Sequence, residues 1–161
     1  MTIRMAEAGD HDGIWAVMEP IIREGTTYAL DRDMTREAAL SFWTGGDNEA
    51  FVWVEPDGTI LGTYFLHPNR PGGGAHVANC GYMVALEAPG RGIGRALCLH
   101  SLERARERGF RAMQFNFVVS TNDRAVALWQ ALGFDIAGTL TGAFAHPSLG
   151  FVDAYVMFRA L

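Results

Sequence analysis

Apolar residues recur at Ile14, Val17, Met18 and Ile21, spaced i, i+3, i+4, i+7, which is the stripe of one helix face. Asp10 stands where an N-cap belongs, and Gly25 stands where a helix stops. Pro20 falls inside the stripe and is expected to kink or split the helix. Thr35 is placed to cap a second short helix through Trp43, ended by Gly45-Gly46. Ahead of both, Thr2 to Met5 reads as a short strand.

After Gly46 the period changes. Ala50 to Val54 and Thr59 to Leu66 are apolar runs separated by Glu55-Pro56-Asp57-Gly58, a hairpin signature. Pro68 to Gly74 is a polar, glycine-rich connection. Val77 to Leu86 reads as a buried strand and Gly92 to Arg108 as a helix stopped by Gly109. The first half of that helix is apolar nearly all round (Ile93, Ala96, Leu97, Leu99) and is expected to be buried. Its second half carries Glu103, Arg104, Arg106, Glu107 and Arg108, a solvated face. Ala112 to Val119 is again a strand. Asn122 to Leu132 is a short helix with Ala125, Leu128, Trp129 and Leu132 on one face, stopped by Gly133. Ile136 to Phe144 and Phe151 to Phe158 close the chain as strands.

Strand, helix and strand across Val77 to Val119 form a βαβ unit, with parallel strands and a right-handed crossover. The later strands return by short connections, which suit antiparallel pairing. The expected fold is α/β in the α+β sense: one domain over residues 1–161, with a mixed, mostly antiparallel central sheet and helices on both faces. No internal repeat is present.

Composition narrows the function classes. A chain of 161 residues with 49% hydrophobic content has enough material for a real core. The net charge of −5 makes nucleic acid a poor default partner. No apolar run reaches the roughly 20 residues of a membrane helix, and the first residues lack the apolar core of a signal peptide. A cytoplasmic protein without a membrane partner is the expectation. Cys80 and Cys98 form neither a disulfide framework nor a metal cluster, and no metal is expected.

The candidate chemistry sits between the Val77 strand and the Gly92 helix, in Pro89-Gly90-Arg91-Gly92-Ile93-Gly94-Arg95-Ala96. Three alternating glycines clear side chains from a turn that opens a helix. Consecutive N–H groups can then converge on one point, and the helix dipole adds positive potential there. Arg91 and Arg95 flank the same point. Such a turn suits a phosphate or diphosphate, although glycine could serve sterics alone. The spacing is neither the dinucleotide pattern G-x-G-x-x-G nor a Walker loop.

That turn, continued as P-G-R-G-I-G-R-A-L, resembles the acyl-CoA loop of the GCN5-related N-acetyltransferases, whose usual form is Gln/Arg-x-x-Gly-x-Gly/Ala. Asn122 to Phe134 (NDRAVALWQALGF) is similar to that family's downstream helix, which ends in Leu-Gly-Phe. Two departures stand out. Pro89 replaces the usual Gln or Arg and brings no N–H to the loop. Trp129 stands where many members carry a tyrosine that protonates the leaving thiolate, and an indole N–H donates a hydrogen bond without being a useful acid.

The resemblance implies acetyl-CoA as co-substrate, bound by backbone groups of Met83 and Val84, by the Gly90, Arg91, Gly92, Ile93, Gly94, Arg95 and Ala96 turn, and by Asn122 and Trp129. It implies acetyl transfer to an amine by direct attack in a ternary complex. Asn122 is also a natural helix N-cap. The C-terminal half, Phe115-Asn116-Phe117 onward, further resembles fungal enzymes that acetylate proline analogues such as azetidine-2-carboxylate. That likeness implies that Asn79 holds the carboxylate of a small amino acid and that Asn116 lines the acceptor site. Tyr28 is placed to shape the acceptor pocket, although an aromatic there is more often core. Asn116 could equally be a satisfied amide beside a bulge. Candidate bases are scarce. Glu24 lies at a helix end, His76 and Glu87 lie near the loop strand, and each has an ordinary solvated reading. A protein or peptide acceptor, or a CoA-binding sensor without catalysis, are the alternatives. A homodimer is implied by resemblance only.

Overall fold

The computed structural model describes residues 1–161. The strands are β1 (Thr2–Met5), β2 (Glu49–Val54), β3 (Ile60–Pro68), β4 (Val77–Val84), β5 (Ala112–Val119), β6 (Asp135–His146) and β7 (Gly150–Ala160). The helices are α1 (His11–Glu24), α2 (Arg36–Thr44), α3 (Ile93–Glu107) and α4 (Asp123–Ala131). One seven-stranded sheet runs in the order β1-β2-β3-β4-β5-β7-β6. Every neighbouring pair is antiparallel except β4 and β5. This is the mixed sheet that the hydrophobic pattern predicts.

Alternation along β3 assigns the two faces. Thr63 and Phe65 point toward α2: the Trp43 indole donates to Thr63 Oγ1 at 2.9 Å, and Phe65 meets Trp43 edge-on. Gly62 and Tyr64 point to the other face. A Cβ on Gly62 would strike Ile93 and Leu97 of α3, so glycine lets that helix approach the strand closely. Tyr64 stacks on Phe51 and bonds His100 Nδ1 of α3 at 2.7 Å. Trp129 of α4 packs on Tyr82 on that same face.

Three sequence expectations change. Asp10 does not cap α1 through its side chain. Its carboxylate instead takes both Arg4 guanidinium nitrogens, at 2.7 and 2.8 Å, and the Glu7 N–H at 2.7 Å, closing a short 3-10 turn over Ala8–Asp10. A buried carboxylate gains more from those charge-assisted bonds than from one helix amide. Pro20 does not split α1, which runs unbroken to Glu24. Pro20 and Ala16 are both exposed, so the carbonyl that Pro20 leaves unbonded faces water. Leu99 is exposed although it lies in the apolar half of α3, because that helix covers the sheet only through the face bearing Ile93, Leu97, Cys98 and Leu102.

The site-forming feature is the seam between β4 and β5. Only Val77, Ala78 and Asn79 pair with Ala112, Met113 and Gln114; beyond them the strands diverge. β5 also carries one extra residue relative to β7 between Phe115 and Val118, so Asn116 and Phe117 sit on a bulge. A bulge bends its strand and re-aims side chains.

Candidate active site

The divergence of β4 from β5 opens a mostly apolar cleft of about 310 Å³. Its walls include Asn79, Cys80, Gly81 and Tyr82 from β4, Phe115 to Val119 from β5, and Asn122, Ala125 and Trp129 at α4. The segment between α1 and α2 adds Thr27, Tyr28, Ala29 and Leu30, and Phe42 comes from α2. Of the residues implicated by sequence, Tyr28, Asn79, Asn116, Asn122 and Trp129 therefore meet in one place. Glu24, His76 and Glu87 are exposed and line no part of it.

Backbone polarity along β4 follows from its register. Ala85 N donates to Leu61 O on the β3 side, and His76 O accepts from Arg111 N on the β5 side. Alternation then turns the N–H of Met83 toward β3 and those of Tyr82 and Val84 toward the gap. Of the two backbone positions expected to meet a pantetheine arm, Val84 presents its amide to the open edge and Met83 spends its amide in the sheet.

The turn before α3 has the geometry of an anion cradle. Gly90 and Gly92 adopt φ values of 73° and 75°, and a Cβ on either would meet open space. Gly92 is the N-cap of α3 and offers no side-chain cap. The first helical bond runs from Ala96 N to Gly92 O at 3.0 Å. The amides from Gly90 through Arg95 thus donate to nothing within the chain, whereas Ala96, expected among the binding amides, is already engaged. Orphan donors at a helix N-terminus favour anions through both hydrogen bonds and the dipole. Gly94 has another role: a Cβ there would lie 3.5 Å from Leu128 and 3.8 Å from Val84, so it marks contact of α3 with α4 and the end of β4. Arg91 is tied to Glu55 at 2.9 Å, which anchors the turn to the β2–β3 hairpin. The Trp53 indole N–H and Arg91 together hold the Glu55 carboxyl below its usual range.

Where β4 and β5 part, side-chain amides form a chain of which Asn79 and Asn116 line the cleft, while His67, Asn69 and Gln114 stand behind its wall. Asn79 Nδ2 donates to Gln114 O at 2.9 Å, and Asn79 Oδ1 lies 3.1 Å from His67 Nε2. Gln114 Nε2 donates to Asn116 Oδ1 at 2.9 Å, and Asn116 Nδ2 to Asn69 Oδ1 at 2.7 Å. Asn79 and Asn116 each retain one N–H without a protein partner. His67, Asn69 and Gln114 escaped the sequence reading. Gln114 and Asn116 stand two residues apart in an apolar strand, a spacing that could have flagged a shared face.

At the opposite wall, Asn122 caps α4 by accepting from Ala125 N at 3.3 Å. Trp129 packs on Tyr82 and Phe115 with ring centroids 5.0 and 5.1 Å away, and its indole N–H has no partner within the chain. Ionisable groups lining the cleft are all held neutral. Burial raises the hydroxyls of Tyr28 and Tyr82 and the thiol of Cys80 above their ordinary values. Cys98, behind the cleft, is pushed up to about 12 for the same reason. No carboxylate or imidazole reaches the cleft wall.

The model of the acetyltransferase (GNAT) family matches residues 15–134. The chain belongs to this family. Among GNAT proteins it is 34% identical over 153 residues to N-acetyltransferase aca1 of Schizosaccharomyces pombe, covering 84% of this chain and 72% of the relative. It is 48% identical to a solved GCN5-related N-acetyltransferase from Kribbella flavida, with a TM-score of 0.94 and coverage of 99% and 97% of the two chains. A GNAT phosphinothricin acetyltransferase from Sinorhizobium meliloti, solved with acetyl-CoA, is 25% identical with a TM-score of 0.86, over 99% of this chain and 88% of that one. The chain is accordingly an acetyl-CoA-dependent acyltransferase. Its orphan amides and clear space at Gly90 and Gly92 fit a diphosphate, and its open β4 edge fits an extended arm beside it.

Proposed function

We propose that this GNAT protein acetylates the amine of a small molecule that also carries a carboxylate, an amino acid or a proline analogue, by direct attack in a ternary complex. The observation that carries this reading is the amide chain where β4 and β5 part. The oxygens of Asn79, Asn116 and Asn69 each already accept a bond, while Asn79 and Asn116 keep a spare N–H. A site with spare donors favours an acceptor group such as a carboxylate over a second ammonium. The relative from Sinorhizobium meliloti, named a phosphinothricin acetyltransferase, supports a small amino-acid-like acceptor.

Acetyl-CoA supplies a thioester carbonyl to the nucleophile. The amides from Gly90 through Arg95 grip the diphosphate, and the Val84 N–H stands on the open edge where carbonyl charge would develop. Asn122 and the Trp129 indole bring neutral N–H donors near the departing sulfur. Cys80 lines the cleft as a neutral thiol, which makes it a poor covalent relay. With no carboxylate or imidazole in the cleft, the amine delivers its proton to water.

Free-thiol release from acetyl-CoA tests the reading with amino acids, proline analogues, their decarboxylated counterparts, polyamines and peptides as acceptors. Small amines bearing a carboxylate should turn over in preference to the same amines without one. Turnover confined to peptides or polyamines would overturn it.

A further inference from the structure

The strap between α1 and α2, Gly25 to Met34, is tied down by side-chain to backbone hydrogen bonds. Arg23 Nη1 donates to the carbonyls of Arg32 at 2.5 Å and Met34 at 3.0 Å. Arg32 Nε answers with a bond to Arg23 O at 2.8 Å. Gly25 has no side chain because the Arg32 stem lies where a Cβ would stand. The paired arginines carry Tyr28 into the cleft, where its ring meets Trp43 edge-on at 6.1 Å.

The hydroxyl of Tyr28 has one proton, and that proton is committed. Tyr28 Oη donates to Tyr82 O at 2.8 Å, the carbonyl that β4 turns toward the gap. Gly81 leaves room for the Phe65 ring, which a Cβ there would strike at 2.6 Å, and for the hydroxyl, 3.2 Å from the same point. A phenol that donates to a fixed carbonyl can only accept from anything else. Tyr28 therefore offers the cleft a lone pair on the same strand edge that presents the Val84 N–H.

We infer, resting on the function proposed above, that the Tyr28 hydroxyl accepts a hydrogen bond from the acceptor amine and so orients the nitrogen lone pair toward the thioester carbonyl. Tyr28 is then a substrate-contacting group that does not exchange protons; burial keeps its phenol protonated across the working pH range. The cleft discriminates in two directions. Donors at Asn79 and Asn116 meet the carboxylate, and an acceptor at Tyr28 meets the amine. An amine that keeps no N–H to donate is a poor ligand for this arrangement.

Tyr28→Phe tests the assignment because it keeps the ring and its packing while deleting the hydroxyl. Steady-state kinetics use an amino-acid acceptor that the wild type acetylates. In parallel, the same acid with hydrogen in place of the amino group serves as a competitive inhibitor. The expected result is a KM for the acceptor raised about tenfold or more, a KM for acetyl-CoA within about twofold, and an unchanged inhibition constant for the desamino acid. Acceptor KM and desamino inhibition constant rising by the same factor would overturn the inference and leave Tyr28 as a shaping residue. An unchanged acceptor KM would overturn it as well. In both cases wild-type turnover of amino acids keeps the proposed function standing. Failure of the wild type to acetylate any carboxylate-bearing amine removes that function and this inference together. Calorimetric binding of acetyl-CoA at wild-type affinity certifies that the variant is folded.

Discussion

The side-chain amide of Asn79 donates to the backbone carbonyl of Gln114 across 2.9 Å, at the last register position that β4 and β5 share. Beyond it the parallel ladder stops and the cleft begins. The same amide accepts from His67 on β3, so one side chain ties three adjacent strands at the point of divergence.

Removing that tie should be felt twice. Asn79→Ala leaves the Gln114 carbonyl and the His67 ring nitrogen without their partner, which is expected to cost about 1–3 kcal/mol of stability. It also removes a spare donor from the cleft. Denaturant unfolding should show the loss, and kinetics should show the acceptor KM rising far more than the KM for acetyl-CoA. Equal changes in both constants would argue that Asn79 serves only the sheet.

The glycines of the α3 turn should separate sharply. Gly92 holds a left-handed φ of 75°, which costs another residue about 1–2 kcal/mol, and Glu adds a charge that repels a diphosphate. Gly92→Glu should weaken acetyl-CoA binding by about tenfold or more in a calorimetric titration. Gly94→Ala should bind almost as well as wild type, because its Cβ would make ordinary contact with Leu128 and Val84.

The pH dependence should follow the substrate. With every ionisable group on the cleft wall held neutral, kcat/KM for the acceptor should rise tenfold per pH unit up to the amine's own pKa. Acceptors with less basic amines should be the better substrates near neutral pH. Trp129 does not ionise, so it contributes no basic limb; Trp129→Tyr is expected to add one. A wild-type inflection that stays fixed when the amine pKa is changed would reveal a protein base.

Stability at acid pH should expose the Arg4–Asp10 pair. Hydrogen bonds from Arg4 chiefly hold the Asp10 carboxyl below its ordinary value. A depressed carboxyl contributes stability above its unfolded pKa of about 4, and that contribution fades as pH falls through the folded value. Asp10→Asn should therefore be destabilised at pH 7 in urea unfolding, with the gap to wild type closing below about pH 4.

Much of this was legible in the residues. Period-3.6 stripes at Ile14 to Ile21 and Ala125 to Leu132, and the apolar runs between them, mark α1, α4 and the strands because burial repeats with the geometry of each element. The shape of the glycine-rich turn before α3 shows itself because glycine spacing constrains the backbone directly. The amide chain from His67 to Asn69 does not, since its members come from separate strands and a loop and meet only through register. Asp10 takes the N-cap position of α1 without capping through its side chain, and nothing local in the sequence announces that Arg4, on β1, lies in reach. Tyr28 looks like a core aromatic until its hydroxyl is seen against the Tyr82 carbonyl.

A structure of the wild-type protein with acetyl-CoA bound measures the diphosphate-to-amide contacts directly. The diphosphate should lie within hydrogen-bond distance of the free amides between Gly90 and Arg95, with the acetyl group in the cleft near Val84. Coenzyme bound away from that turn, at full occupancy, would contradict the assignment of the loop and of the cleft it feeds.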